Sequence, residues 1–599
     1  MGLVPAAVEP LEPSRVSESG DSRAGARVQW LILCCYLLGA VALTWRLWAD
    51  PASRAQVGDP EDVDQFAFFV RYAATAVAHG HLPALVTTAL NPPRGINMMW
   101  NTSFLLPGIV LSPVTLLAGP QVTLTLVLTL GFAGSAASLF WVLRRWGASI
   151  WPAALGGALY GFSPALLDAG IGHYNFAFAV TPPLLIDALM RLVTGRGRPV
   201  RVGVWLGLLA AAQLFIGEEL LADTAVAGAV LVAALAATHR HVVAERTLSV
   251  ALGLGTAAGL AMVISGYPLW VQFHGPLTQH GNPWVSSDFT SHLNGFVTPP
   301  GTVLFHTRAS AASAAGVTSG LPEYLAYLGW PLLVVLVAAA VRYWRNPKVR
   351  VTALTWVVLE LLSLGGQNRP VFGIVFPGGL LPWHWLQALP LVGSILPDRF
   401  AILADGAAAA VLAFALDLTR SAAPDKAAWP RRNWPFAVAV LALLPLIPLP
   451  MQTGTTSPVP AGWQAAFARL HLAADAPVLV VPVPYSHLTQ PMRWQADTGD
   501  PRSLIGGWFV GPGFSGKATV EFFGLPRVRR AFLYLDKLWA RSSDARPPPA
   551  AKVRAALAYL RPAAVVAVTG RGSALERYLA AFVGPPAFGV GRVLVWRLG

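Results

Sequence analysis

Carboxylate side chains are concentrated in a short segment near the N-terminal end of the sequence. Asp59, Asp62 and Asp64 lie in the stretch Gly-Asp-Pro-Glu-Asp-Val-Asp, which begins at Gly58. An ionised carboxylate can take a proton from a hydroxyl group as a general base, and neighbouring carboxylates can hold a divalent cation. The segment is therefore a candidate catalytic site. The alternative is a solvated helix cap without a catalytic role.

Further charged and polar groups fall at the ends of apolar segments in distant parts of the sequence. They are Asp168 with His173, Glu218 with Glu219, and Arg369, His384, Asp398 and Arg399. Arginine holds a phosphate through two parallel hydrogen bonds, and histidine or a carboxylate can exchange protons near neutral pH. Together in one cleft, these groups suit a reaction on a lipid-linked phosphate at the membrane surface. A single arginine at a helix end is more typical of a membrane anchor.

The composition is that of a membrane protein. The chain has 599 residues, of which 55% are hydrophobic and 12% charged, and its mean hydropathy is +0.54. The net charge is +14, and many of the basic residues cluster in short connections between apolar segments, which is the pattern of the positive-inside rule. We therefore expect no nucleic-acid partner. Cys34 and Cys35 are adjacent and are the only cysteines, so a disulfide framework and a cysteine zinc site are excluded.

Eleven segments are long and apolar enough to cross a hydrocarbon core of about 30 Å. They are residues 28–49, 121–143, 150–167, 175–193, 202–217, 220–238, 247–266, 323–341, 351–365, 400–418 and 435–450. Residues 103–119 are also apolar, but Pro107, Gly108 and Pro113 favour a broken, re-entrant hairpin over a full crossing. The sequence thus predicts a polytopic α-helical membrane protein with about eleven transmembrane helices and one re-entrant segment.

The basic residues predict how the chain is oriented in the membrane. With a cytoplasmic N-terminus, eleven crossings place every strongly basic short connection on the inside. These connections are Arg144 with Arg145 and residues 191–201, 239–246, 342–350 and 420–432. A twelfth crossing at 103–119 would move the later ones outside. The same parity places residues 50–101, 267–322 and 366–399, and everything after Met451, on the extracytoplasmic face.

Three regions follow from this division. Residues 1–27 are predicted to be a disordered cytoplasmic tail, and residues 28–450 a transmembrane core with its first outer loop at 50–102. Within that loop, the spacing of Phe66, Phe69 and Tyr72 predicts a helix at the membrane interface. Residues 451–599 carry 17 Lys and Arg against 7 Asp and Glu. Their pattern predicts an extracytoplasmic α/β domain, with strands at 477–483, 563–568 and 590–598 and a helix at 552–560.

Several short motifs resemble those of the GT-C superfamily, the polyprenyl-phosphate-sugar-dependent membrane glycosyltransferases, particularly its multi-spanning actinobacterial members. The resemblance covers approximately residues 28–420. Its motifs are the acidic opening of the first outer loop, Asn91-Pro92-Pro93-Arg94-Gly95-Ile96-Asn97, Trp100-Asn101-Thr102-Ser103, Tyr160-Gly161-Phe162-Ser163-Pro164, Gly172-His173, Gln213-Leu214-Phe215-Ile216-Gly217-Glu218-Glu219 and Pro397-Asp398-Arg399-Phe400.

The resemblance implies an inverting glycosyltransferase that moves a sugar from a polyprenyl phosphate to a cell-envelope glycan, lipid or protein on the extracytoplasmic face. An acid of the first outer loop would be the catalytic base. Asp62 is preferred because it stands three residues before Gln65, and Asp59 and Asp64 are the alternatives. The expected substrate-binding residues are Arg94, His173, Glu218, Glu219, Arg369, His384, Asp398 and Arg399. A divalent cation, Mg²⁺ or Mn²⁺, would lie at Asp59 and Asp62.

Two other classes of protein compete with this interpretation. A transporter or flippase should show an inverted repeat and charges near the middle of the bilayer, whereas the charges of this sequence cluster at the ends of the apolar segments. A non-catalytic scaffold would bind anionic envelope polymer through its basic outer domain. Replacing the acids of the first outer loop would leave the function of a scaffold intact.

Overall fold

The structure is a computed structural model. It describes residues 22–598 except 103, 240–244, 285, 317–319, 372–373, 390–391, 422–428, 474, 514, 521–525 and 543–545. Most of the predicted N-terminal tail, residues 1–21, lies outside the described residues, and the first helix begins at Ser22. The predicted basic connections at 239–246 and 420–432 lie partly outside them as well.

Within the part of the chain that the structure describes, six helical segments are long and apolar enough to cross a membrane. They are Gly25–Trp48, Pro120–Arg145, Ile150–Ala169, Glu218–Thr238, Thr247–His274 and Pro397–Ser421. Shorter apolar helices cover Pro199–Leu214, Trp330–Arg342 and Asn433–Leu446. The chain is a multi-pass membrane protein, as the sequence predicts. The predicted number of eleven crossings stays a prediction.

The remaining described helices are shorter or more polar. They are Pro60–Ala78, Leu105–Val110, Ser112–Ala118, Tyr174–Ala177, Thr181–Val193, Arg308–Ala315, Pro347–Ser363, Pro382–Leu386, Trp463–Leu470, Gln490–Thr498, Pro526–Trp539, Ala550–Leu560 and Ala574–Val583. Single 3₁₀ turns include Leu321–Glu323 and Pro397–Arg399. The Leu105–Val110 and Ser112–Ala118 helices form a broken pair where the sequence predicts the re-entrant segment, and they pack against the Pro60–Ala78 helix.

Prolines interrupt two segments that the sequence predicts as continuous helices. Residues 150–167 form Ile150–Gly161 and Pro164–Ala169, separated by Phe162 and Ser163. Residues 175–193 become helical without interruption only from Thr181, one position before Pro182. A proline has no N–H to donate and disfavours helical geometry in the residue before it, so it ends one helix and starts the next.

A third predicted span, residues 323–341, begins too early. The helix there covers Trp330–Arg342, and Glu323 lies in the 3₁₀ turn Leu321–Glu323 that precedes it. Gly329 caps the helix with a φ of +74°. Glycine adopts this left-handed geometry without the steric cost of a Cβ atom. Because the chain is not regular between Glu323 and Gly329, the Glu323 carboxylate is free to turn inward.

A five-stranded sheet forms the centre of the C-terminal region. Its strand order is Phe588–Val590, Val593–Arg597, Ala564–Val568, Pro477–Val481 and Ser503–Leu504. The Ala564–Val568 and Pro477–Val481 strands run parallel, in register from Ala564 with Val478. Both are runs of buried β-branched and small residues, which is typical of a strand covered on both faces.

Three kinds of contact join the C-terminal region to the first outer loop. The strand Arg54–Gln56 pairs with Thr453–Thr455, and the backbone N–H of Asn91 donates to the carbonyl of Leu504 at 2.8 Å. Phe68 and Phe69 of the Pro60–Ala78 helix belong to the same buried apolar cluster as the central strands. This helix is therefore buried between the transmembrane helices and the C-terminal region, where the sequence predicts a helix lying along the membrane interface.

Candidate active site

Two acids of the first outer loop lie at the start of the Pro60–Ala78 helix. Asp59 is the N-cap residue, and its Oδ1 accepts the backbone N–H of Asp62 at 3.3 Å. Pro60 occupies the first helical position, where its missing N–H costs no hydrogen bond. Gly172 approaches Asp59 so closely that a Cβ at that position would lie 2.9 Å from the Asp59 Cβ. This local geometry holds both carboxylates against the segment that carries His173.

His173 faces both carboxylates. Its Nε2 lies 3.2 Å from Asp62 Oδ2 and 4.0 Å from Asp59 Oδ2. On the other side of the ring, Nδ1 lies 3.2 Å from Nη1 of Arg399. Because arginine offers only donors, Nδ1 accepts this hydrogen bond, which leaves the imidazole proton on Nε2, facing Asp62.

Arg399 is buried behind this histidine. Its side chain is only 3% exposed, and its Nη2 lies 2.5 Å from Oε1 of Glu323. The guanidinium also lies over the ring of Phe176, 4.3 Å from the ring centroid. Its Nε has no hydrogen-bond partner among the described residues. Asp62, His173 and Arg399 thus form a continuous polar line from the first outer loop into the helical core.

Carboxylates outnumber cations around Arg399. Asp398 lies 3.7 Å from its Nε, and Glu219 accepts the backbone N–H of Leu396 at 3.0 Å. Asp223, one helical turn after Glu219, is fully buried. The charges of Glu323, Asp398, Glu219 and Asp223 all act on Arg399. Buried charges are costly unless they are compensated, so this part of the core favours an additional positive charge or protons.

A residue of the C-terminal region completes the environment of Asp62. The indole N–H of Trp508 donates to Asp62 Oδ1 at 2.7 Å, and the Gln65 side chain donates to the Trp508 carbonyl at 2.8 Å. Asn101 fixes the same segment through two hydrogen bonds with the backbone of Val510. Both oxygens of Asp62 therefore have partners, one on the C-terminal region and one on His173.

The two acids differ in their electrostatics. Burial raises the pKa of Asp62, but the hydrogen bonds from His173 and Trp508 and the positive charge of Arg399 outweigh it, so the net pKa lies below the ordinary value. The pKa of Asp59 is raised well above the ordinary value by burial and by the neighbouring charge of Asp62. Opposite shifts in two adjacent acids are typical of functional sites. Asp62 is the ionised member of the pair.

The structure brings together many of the residues predicted from the sequence. The structure places Asp59, Asp62, His173, Glu219, Asp398 and Arg399 around one region at one end of the helices. Glu218 adjoins Glu219 at the start of the Glu218–Thr238 helix.

Other predicted residues lie elsewhere. Asp64 turns toward the C-terminal region, where it accepts a hydrogen bond from Thr489 at 2.8 Å. Arg94 lines a small separate cavity that Phe509 also lines. His384 is exposed, with its Nδ1 3.3 Å from the Gly366 carbonyl oxygen. The Arg369 side chain lies outside the described part of the structure.

Two residues of the site were not predicted. Hydropathy predicts Glu323 as the first residue of an apolar span, although the sequence Leu-Pro-Glu ahead of that span is a turn signal. Trp508 follows two glycines with φ of +102° and +144°. This Gly-Gly-Trp sequence indicates a tight turn that presents a large side chain, but it does not indicate which carboxylate the indole meets.

The site offers a ligand set for a cation. One carboxylate oxygen each from Asp59 and Asp62 and one nitrogen of His173 lie within 4.8 Å of one another. Two carboxylates and an imidazole are ligands that divalent transition metals accept, and oxygen ligands also suit Mg²⁺. The partly exposed positions of all three side chains leave room for water or substrate oxygens. The residues therefore fit a divalent cation once the imidazole proton moves from Nε2 to Nδ1, because only an unprotonated nitrogen binds a metal.

Comparison with solved structures identifies the fold. The cryo-EM structure of the arabinofuranosyltransferase AftD from mycobacteria matches with a TM-score of 0.54 and 14% identity, over 96% of this chain and 40% of that one. A structure of a mutant of AftD gives a TM-score of 0.53 and 14% identity, over 98% and 42% of the two chains. The oligosaccharyltransferase AglB from Archaeoglobus fulgidus aligns with a TM-score of 0.46 and 11% identity, over 91% and 69%.

The chain shares its fold with the arabinofuranosyltransferase AftD, and this likeness agrees with the resemblance to membrane glycosyltransferases that the sequence motifs indicate. At 14% identity the likeness establishes the fold alone, and the chain spans about two fifths of the length of AftD. No family model and no curated protein matches the sequence. Because one fold can carry several activities, the function must be argued from the site.

Proposed function

We propose that this protein is a membrane glycosyltransferase that takes a sugar from a polyprenyl-phosphate donor and transfers it to a cell-envelope acceptor on the extracytoplasmic face. The observation that carries the proposal is the polar line from Asp62 through His173 to Arg399. It places a candidate general base beside a candidate phosphate-binding group, in a fold shared with a solved glycosyltransferase.

Asp62 is the proposed base. A glycosyl transfer with inversion requires a group that removes the proton from the acceptor hydroxyl as that oxygen attacks the sugar, while the phosphate leaves from the opposite side. Asp62 is ionised and partly exposed, and His173 and Trp508 fix its orientation. Its low pKa makes it a weak base in this structure, so a substrate that loosens the contact with His173 would raise its basicity.

Arg399 is the proposed group for the donor phosphate. Its planar guanidinium presents donors in a fixed geometry that matches phosphate oxygens, and its Nε–H has no partner among the described residues. Glu323 and Phe176 hold the group in place. Glu219 and Asp398 are proposed to orient the segment that bears Arg399. Glu219 accepts the backbone N–H of Leu396, and Asp398 lies 3.7 Å from Arg399 Nε.

Asp59, Asp62 and His173 are the proposed ligands of a divalent cation. To bind it through Nε2, the imidazole would carry its proton on Nδ1, which lies 3.7 Å from Glu323 Oε1. Such a cation would supply positive charge to stabilise the leaving phosphate. The chain's own contribution is the position of the three ligands, which the Asp59 cap and the close approach of Gly172 determine. The raised pKa of Asp59 agrees with this role, because a bound cation would relieve the repulsion between the two acids.

The test is transfer of radiolabelled sugar from a polyprenyl phosphate in vesicles that contain the purified protein. Asp62→Asn preserves the shape of the side chain but cannot accept a proton, so we expect transfer to fall by about 10²–10⁴. Asp59→Asn and Asp64→Asn should be milder. A variant with all three substitutions that still transfers at the wild-type rate would exclude the enzyme and favour the scaffold.

A further inference from the structure

A short helix of the C-terminal region, Gln490–Thr498, packs against the helix of the first outer loop that carries the proposed base. We call it the docking helix. Thr489, the residue before it, donates to Asp64 at 2.8 Å, and its Ala496 carbonyl accepts Nε of Arg71 at 2.7 Å. The docking helix therefore joins the C-terminal region to the first outer loop through side chains as well as through packing.

Arg493 of the docking helix is completely buried. Its Nε donates to both carboxylate oxygens of Asp497, each at 2.9 Å, and its Nη1 donates to Oε1 of Gln121 at 2.8 Å. Asp64 Oδ1 lies 4.0 Å from the same Nη1. Gln121 belongs to the first turn of the long apolar helix Pro120–Arg145. Arg493 therefore connects the C-terminal region to a membrane-spanning helix as well as to the first outer loop.

A buried guanidinium makes this contact sensitive to position. A charged group that leaves water loses its hydration, and only well-placed partners compensate for that loss. A displacement of the docking helix would lengthen the hydrogen bond to Gln121 and leave the buried charge poorly paired. An apolar contact would tolerate the same displacement better, because the hydrophobic effect has no preferred direction. Arg493 therefore favours one position of the docking helix over neighbouring ones.

The residue before this arginine continues the contact to Trp508. Met492 is fully buried, and its sulfur accepts the backbone N–H of Trp508 at 3.1 Å. The indole of Trp508 in turn donates to Asp62 at 2.7 Å. Gln65 and Asn101 hold the same segment from the first outer loop, whereas Met492 holds it from the docking helix. A displaced docking helix would thus move the backbone of Trp508 and weaken the hydrogen bond from its indole to the proposed base.

We propose that Arg493 is a positioning residue for the sugar transfer and acts on Asp62 through Met492 and Trp508. The effect on transfer rests on the proposed function, in which Asp62 is the base. The coupling between Arg493 and the Trp508 segment does not rest on it. Arg493 holds the membrane-spanning helix, the first outer loop and the C-terminal region in the one arrangement in which Trp508 meets the base.

Hydrogen exchange measured by mass spectrometry, on the whole chain in lipid nanodiscs, tests this coupling without requiring activity. Gln121→Leu removes the acceptor of Nη1, while Asp497 still pairs with Nε. Arg493→Lys keeps the charge, but a single ammonium cannot hold both partners as a planar guanidinium does. In both variants, the peptide covering residues 506–510 should exchange at least tenfold faster, because the acceptor of the Trp508 backbone N–H is no longer fixed. The variants share only the loss of the bond between Gln121 and Arg493, so the same effect in both assigns it to that bond.

Thr123→Val is the matched control. Thr123 is buried two positions further along the same helix, and its hydroxyl is hydrogen-bonded to that of Thr115 at 2.7 Å, within the membrane part of the chain. Valine keeps the shape of threonine, so exchange at residues 506–510 should stay at the wild-type rate. If Gln121→Leu or Arg493→Lys does not fold, the other variant decides. Wild-type exchange in the folded variants, or equal acceleration in Thr123→Val, would overturn the coupling.

Transfer kinetics show whether the coupling reaches the reaction. Gln121→Leu should lower kcat about tenfold, which corresponds to about 1.4 kcal/mol, and leave the KM for the polyprenyl-phosphate donor unchanged. Added to Trp508→Phe, it should cause little further loss, because both changes act through the same hydrogen bond. Independent losses in the double variant, or a wild-type kcat despite faster exchange, would overturn the positioning role. No transfer by the wild-type protein would overturn the proposed function and this role with it, whereas unchanged exchange would overturn the coupling alone.

Discussion

The indole N–H of Trp508 lies 2.7 Å from the carboxylate of Asp62, although 446 positions separate the two residues in the sequence. The C-terminal region therefore contributes a hydrogen bond to the proposed base. Trp508 is held in turn by Gln65, which belongs to the same helix as Asp62. The C-terminal region and the first outer loop thus form one structural unit around this carboxylate.

We expect Trp508→Phe to shift the pH dependence of sugar transfer. The substitution keeps an aromatic ring but removes a hydrogen bond that lowers the pKa of Asp62. A hydrogen bond to a charged group contributes about 1.5–3 kcal/mol, and one pKa unit corresponds to about 1.4 kcal/mol. The pKa of Asp62 should rise, and the acid limb of the rate profile should move upward by about one pH unit. The measurement is the initial transfer rate from pH 3.5 to 8.

Trp284→Phe is the matched control for this prediction. Trp284 packs against Trp508 with ring centroids 6.1 Å apart, but no hydrogen bond joins it to Asp62. Its replacement should disturb packing without moving the acid limb. Equal shifts in the two variants would mean that Trp508 acts through packing and not through its N–H group.

We expect Arg399→Lys to weaken donor binding more than it slows the chemical step. Lysine keeps the positive charge but loses the planar set of donors that contacts Glu323 and His173 together. The apparent KM for the polyprenyl-phosphate donor should increase by at least tenfold, with a smaller change in kcat. Arg502→Lys is a control outside the site, since Arg502 pairs with Asp500. An unchanged KM for the polyprenyl-phosphate donor in Arg399→Lys would show that Arg399 does not bind the donor phosphate.

The sequence predicts the transmembrane character well because long apolar segments and basic connections are local features. The segment at residues 323–341 shows the limit of this reasoning. Hydropathy does not distinguish the irregular chain before Trp330 from the helix that follows. The sequence therefore predicts Glu323 at a helix end, whereas the structure turns it toward Arg399.

The candidate site was predictable only in part for a related reason. Asp59, Asp62 and Arg399 stand out as charged residues beside apolar segments, and their convergence follows from placing them on one side of the membrane. Asp64 is also a charged residue beside an apolar segment. It lies two positions after Asp62, and on a helix this turns its side chain away from the site and toward Thr489. Trp508 has no sequence signal for its partner, because a contact between distant segments depends on how the C-terminal region docks.

Asp64 should make stability depend on pH. Burial raises its pKa to about 6, although Arg493 and Thr489 lower it. A raised acid pKa means that the folded state favours the protonated form. The resulting stabilisation is complete below the ordinary pKa of 3.8 and is lost as the pH rises through about 6. Asp64→Asn removes this loss, so at pH 7 the variant should be more stable than wild type by about 3 kcal/mol.

The measurement is thermal unfolding of both proteins in detergent between pH 4 and 7.5. The two melting temperatures should be similar at pH 4 and should separate as the pH rises. Asp50→Asn, an exposed change outside this network, should follow the wild-type curve throughout. A constant difference between Asp64→Asn and wild type at every pH would show that the Asp64 carboxylate does not titrate in this range.

The last prediction concerns orientation, on which the proposed extracytoplasmic reaction depends. In a variant lacking Cys34 and Cys35, single cysteines at the exposed positions His81, Asp288 and Arg571 should react with a membrane-impermeant thiol reagent in intact cells. Cysteines at the exposed Gly197 and Pro347 should react only after the membrane is permeabilised. The physical reason is the excess of Arg and Lys in the connections that carry Gly197 and Pro347, which the positive-inside rule retains in the cytoplasm. Labelling of Gly197 but not His81 in intact cells would place the acids on the cytoplasmic side and contradict the extracytoplasmic reaction.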